Sequence, residues 1–146
     1  MLSDCCCFIG WRGVVVDSSF IWYVSQETDK MASSFTPTIR FDGGDPSDND
    51  YTYEGFYYSF IEGDVRMVFV NFVITVNTYD SSPPENAPLI IGGLPYSATT
   101  AIHTSLFQND HHRYAVTSGT DITFDFSNYA DGDVFCGNFY YFASAS

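Results

Sequence analysis

Between Val65 and Val76 the chain reads VRMVFVNFVITV. Taken with a period of two, Val68, Val70, Phe72, Ile74 and Val76 form one uninterrupted apolar row, as a strand facing a core requires. The opposite row, Val65, Met67, Phe69, Asn71, Val73 and Thr75, is also mostly apolar. A strand with one solvated face alternates apolar with polar positions, so a strand apolar on both faces needs a second cover. The pattern predicts that Met67, Phe69 and Val73 lie in a subunit interface, because so short a chain has little left to build a third layer.

Shorter apolar runs flank this strand, separated by turn residues at about the 8- to 12-residue spacing of sandwiches and barrels. FTPTIRF opens the series and is closed by the Asp- and Gly-rich DGGDPSDND; YTYEG, FYYSFI and the turn Glu62-Gly63-Asp64 then lead into the long strand. NTYDSSPPENAP reads as a loop, since Pro83, Pro84 and Pro88 remove ladder donors. In LIIGGLPY, Leu89 to Ile91 predict a buried strand. Gly92 and Gly93 allow angles or approaches that a Cβ would block, and Pro95 ends the pairing so that Tyr96 folds over the end. AIHTSLF, HRYAVT, TDITFDF and VFCGNFYYFAS complete the set. Roughly nine or ten strands predict an all-β chain, a jelly-roll-like antiparallel β-sandwich.

Composition agrees. In 146 residues, 14 Phe and 11 Tyr favour a pleated, half-buried surface, and the length suits one domain. The formal charge of −13, with five Lys and Arg in all, argues against nucleic acid and against an anionic membrane surface as partners. Cys5, Cys6 and Cys7 are consecutive and so match neither a zinc knuckle nor a disulfide framework, while Cys136 reads as a buried apolar filler.

Residues 1 to 30 differ in character from the rest of the chain. Asp4, Arg12 and Asp17 interrupt the apolar stretch, which fits neither a signal peptide nor a membrane span. Two readings stand: an upstream extension ahead of a start at Met31, or a genuine arm in which VVVDSSFIWYV serves as an added or exchanged strand. The β-sandwich domain is expected over residues 31 to 146.

Four groups of side chains carry candidate chemistry. Asp42, Asp45, Asp48 and Asp50, with Glu54 nearby, crowd a Gly-containing loop and offer oxygens of the kind calcium takes, although the spacing is not that of an EF-hand. No other cofactor is expected. His103, Asp110, His111 and His112 fall close in sequence, but neighbouring strand residues face opposite ways, so His111 and His112 do not easily share an ion within one chain, and a single histidine from each of three subunits on a trimer axis is the arrangement that could hold one. Asp121, Asp125 and Asp133 are the acids a polysaccharide-cleaving enzyme would draw on, without any accompanying catalytic motif. The aromatic stretches YTYEGFYY and NFYYFAS hold more rings than one core face buries. Tyr51, Tyr53, Tyr57, Tyr140 and Tyr141 are therefore candidates either for stacking on sugars or for a Tyr-rich interface.

Three segments in order, FTPTIRFDGG, YTYEGFYYSFIEGDVRMVFVNFVITV and LIIGGLPY, resemble the β-sandwich module of bacteriophage tail fibres, tailspikes and other virion-surface proteins. The hairpin turn Glu62-Gly63-Asp64 departs from the Gly-Asn usual in that family, and Gly92-Gly93 from its Ser-Gly. The resemblance implies a non-enzymatic homotrimer on the particle surface, with other virion proteins as partners and a host surface glycan or protein as receptor. Relatives carry the module on a stalk; with no stalk evident in this sequence, capsid decoration is the alternative role and polysaccharide cleavage a minor one.

Overall fold

The computed structural model describes residues 32–124 and 128–146. The expected extension at residues 1 to 30, with Cys5 to Cys7, and the acid Asp125 lie outside the described residues. Nine strands run through the rest: β1 (Ser33–Ser34), β2 (Thr38–Phe41), β3 (Asp50–Glu62), β4 (Val65–Thr78), β5 (Leu89–Gly92), β6 (Ala98–Gln108), β7 (His111–Gly119), β8 (Asp121–Phe124) and β9 (Val134–Ser144). The chain is all-β, and every pairing is antiparallel. YTYEG and FYYSFI, separate runs in the sequence, are one continuous strand, because Gly55 between them pairs with Phe72 in an unbroken ladder.

The strands hydrogen-bond in the order β1-β3-β4-β9-β6-β7-β8-β5-β2. β1 and β2 stand at opposite ends of this order yet only Phe35, Thr36 and Pro37 separate them in the chain. Three residues span about 10 Å at most, so the sheet must curl until its two ends adjoin. Local contacts secure that crossing. The Phe35 N–H donates to the Gly55 carbonyl at 3.0 Å, and the Thr36 carbonyl lies against Gly93, where a Cβ would collide. Gly93 also has φ +82, whereas Gly92 does not take that angle but is closely approached by the Asp121 carboxylate and the Thr38 hydroxyl, so the left-handed angle falls on Gly93 and close approach on both. On the other side the register of β6 breaks between Ala98 and Ile102, a bulge of the kind that bends a sheet.

Curling turns the predicted row of β4 inward. Val68, Val70, Phe72, Ile74 and Val76 are buried and meet Ile39 and Phe41 of β2, Leu89 and Ile91 of β5, and Ile122 and Phe124 of β8 in one core. Each such side chain contributes roughly 1.5–3 kcal/mol relative to exposure. Phe72 sits between two glycines in register, Gly55 on β3 and Gly137 on β9. Its ring occupies the space a Cβ at Gly137 would need and meets Phe35 edge-on at 6.3 Å.

Buried polar groups tie both ends of the core. At one end the carboxylate of Asp133 accepts from the Tyr79 hydroxyl at 2.9 Å, Gln108 Nε2 at 2.8 Å, Asn109 Nδ2 at 2.9 Å and the Ala130 N–H at 2.9 Å. Burial by itself would raise its pKa; the four donors outweigh that, and the group stays below the ordinary carboxylate value. Burial, with the Asp133 charge beside it, pushes the Tyr79 phenol up. At the other end the fully buried Tyr141 hydroxyl donates to the Tyr96 carbonyl at 2.9 Å and accepts from the Tyr96 N–H at 3.2 Å. Burial pushes this phenol up to about 12. The predicted corner therefore has an anchor that the sequence did not reveal, a tyrosine 45 residues away.

Candidate interaction surface

If the even-numbered residues of β4 face the core, the odd-numbered ones face out, and pairing extends that outer face across three strands. In register, Phe60, Met67 and Phe142 form one cross-strand row, Tyr58, Phe69 and Tyr140 the next, and Phe56, Asn71 and Asn138 a third. A fourth row, Glu54, Val73, Cys136, Phe107 and His112, continues onto β6 and β7.

The first two rows are a connected set of rings. Phe69 lies near the centre, stacked on Tyr58 at 6.3 Å and on Phe60 at 6.2 Å, with Tyr140 at 5.8 Å on its other side. Tyr140 in turn meets Phe142 at 6.0 Å. Pairs in this distance range add about 0.5–1.5 kcal/mol each beyond burial. The rings remain open to solvent: Phe56 is 50% exposed, Tyr140 53%, and Phe60, Phe142 and Val65 are exposed as well. No charged side chain stands in the three upper rows, although 18 of the chain's residues are acidic. Glu54 and Glu62 mark the two ends of this neutral field on β3.

The predicted site residues divide over this geometry. Met67 and Phe69 lie within the open field, half-buried by their neighbours. Val73 belongs to the fourth row, where it packs with Phe107 and Val134 around the buried Cys136. Tyr140 is on the outer face. Tyr141 is not, which corrects the expectation that it is an exposed aromatic: strand alternation turns it into the core, with no exposed surface. Tyr51 and Tyr57 pack against the core from the inner side of β3, and Tyr53, on that same side, is exposed. Phe60 lies outside both aromatic stretches. Its signal was available in the spacing, since it stands two residues beyond Tyr58 on one face.

The acidic groups take other positions. Asp45 caps the 3-10 turn Pro46–Asp48: its carboxylate accepts from the Ser47 N–H at 2.9 Å, and Asp48 accepts from the Asp45 N–H at 3.0 Å. The Ser47 bonds lower the Asp45 pKa. Asp50 accepts from Asn77 at 3.3 Å, and Asp42 and Glu54 are exposed. Asp121 pairs with Arg40 at 3.0 Å, and Asp133 is the buried acceptor at one end of the core. His103, His111 and His112 are exposed along the β6–β7 hairpin, His112 edge-on to Phe107 at 4.4 Å. Among the described residues no three His, Cys, Asp or Glu side chains come together in a group able to hold a metal ion.

Comparison with known proteins adds no relative: no family model matches the chain, and neither a curated protein nor a solved structure does.

Proposed function

We propose that this chain is a non-enzymatic structural protein of a bacteriophage particle, a jelly-roll-like subunit that forms a homotrimer and contacts a receptor on the host surface. The observation that carries the assembly half is the uncharged aromatic field on β3, β4 and β9. Copies that each carry a net charge of −13 repel one another, and contact is least costly where the surface holds no charge. Tyr and Phe are also the residues in which the cores of subunit interfaces are enriched. The particle assignment is supported by the resemblance of FTPTIRFDGG, the Tyr-rich hairpin and LIIGGLPY to virion-surface modules.

Two measurements test the proposal. Light scattering at micromolar concentration is expected to return three times the chain mass, and a monomer would overturn the interface. Immunogold labelling of intact particles is expected to mark the tail. Label spread over the head would replace receptor contact with capsid decoration.

A further inference from the structure

Arg66 differs from the other described arginines. Arg40 pairs with Asp121 and Arg113 donates to Gln108, whereas Arg66 has no carboxylate at ion-pair distance among the described residues, although Glu62 and Asp64 adjoin it in the turn. Its guanidinium is nonetheless held in place. Its Cζ lies over the Tyr96 ring, 4.2 Å from the centre, and Nη1 donates to Ser59 Oγ at 3.0 Å. Nε is sealed from solvent without an acceptor. Nη2 has no acceptor among the described residues either, and it is not sealed.

Around it, Tyr57 meets Tyr96 edge-on at 5.9 Å. The hydroxyls of Tyr57 and Tyr96 make no hydrogen bond among the described residues and neither is sealed. The Tyr141 clasp on the Tyr96 backbone fixes the ring that supports the arginine.

A cation already ordered on two sides, with Nη2 open, the Tyr96 ring against it and Tyr57 packed on that ring, is prepared for a small anion that also carries hydroxyls. Arginine engages carboxylate through paired N–H donors, and little side-chain entropy is left to lose on binding. We infer that Arg66, with Tyr57 and Tyr96, binds the carboxylate of an acidic sugar residue. The inference rests on the receptor-contact reading for the source of that sugar; its chemistry depends only on the cluster.

The test titrates the full chain with methyl β-D-glucuronide and with the neutral methyl β-D-glucoside, followed by ligand-observed NMR and calorimetry. The acid is expected to bind, and the neutral glycoside to bind at least about tenfold more weakly, the difference expected of a charge-assisted bond. Arg66→Gln should remove that difference, and Arg66→Lys should restore only part of it, since lysine lacks the planar fork. Equal binding of the two glycosides by the wild-type chain overturns the inference without any variant. So does absence of binding at millimolar acid. A carboxylate from a second copy is the other source of the same chemistry: loss of oligomer mass in Arg66→Gln, with no glucuronide bound by the wild-type chain, also overturns the inference. Tail labelling of particles together with no glucuronide binding would leave the receptor-contact proposal standing and remove this site alone.

Discussion

Tyr140→Ala separates a surface aromatic from an interface aromatic. Tyr140 is 53% exposed in the single chain, where its ring meets those of Phe69 and Phe142. An aromatic side chain buries about 150–250 Å² in all, so roughly 80–130 Å² of Tyr140 is still available for a partner to cover. At about 25 cal/mol per Å², covering it contributes roughly 2–3 kcal/mol per subunit. Truncation should therefore weaken association by about 30- to 150-fold for each subunit, with 1.4 kcal/mol per factor of ten, and the monomer–trimer constant should fall by the product over three copies. Sedimentation equilibrium over a dilution series reads that constant, and urea unfolding of the dissociated chain reads the smaller loss of intrasubunit contacts. Tyr114 on β7, 76% exposed and two strands further round the sheet from β9, is the control, and Tyr114→Ala should leave association unchanged. If Tyr140→Ala and Tyr114→Ala shift the constant alike, the aromatic field is not the interface.

Other expectations concern stability. Tyr141→Phe removes the hydroxyl that serves both backbone groups of Tyr96 and should cost about 1–3 kcal/mol in urea unfolding; a smaller loss than Tyr140→Ala causes in the monomer would contradict the clasp. Asp133 titrates below its ordinary 3.8 in the folded chain, so the stability it contributes is complete above that value and is lost as pH falls through the lower native pKa. The stability gap between wild type and Asp133→Asn should thus be widest near pH 6 and narrow toward about pH 2, and a gap constant with pH would refute the assignment. Gly93→Ala meets the Thr36 carbonyl as well as an unfavourable φ, whereas Gly63→Ala, at φ +61, meets open space. The first should be the more damaging by more than the ~1 kcal/mol of backbone strain common to both, measured by thermal unfolding.

Strand content was legible because a period of two is a local property. VFCGNFYYFAS is β9 from Val134 to Ser144 as read, and the inward row of β4 is the core row. The corner at Gly93 was legible for the same reason, since glycine and proline act on their own backbone. Alternation within NFYYFAS also carried the information that neighbouring tyrosines part company, Tyr140 outward and Tyr141 inward, but not which of the two faces the core. That choice belongs to β4, which pairs Tyr141 with Val68 and Tyr140 with Phe69.

What the sequence determined by itself is therefore most of the strands and turns, though not the short β1 or the continuity of β3, and the presence on β4 of a second apolar face in need of cover. The tertiary structure decided which side chains lie together. Phe60, Phe69 and Tyr140 become one field only through cross-strand register, which joins residues 71 positions apart in the case of Phe69 and Tyr140. Asp133 becomes a buried hub, and Arg66 an ordered cation on Tyr96, only when distant strands converge. Periodicity reports which way a side chain points; its partners depend on closure of the sheet, which no window along the chain contains.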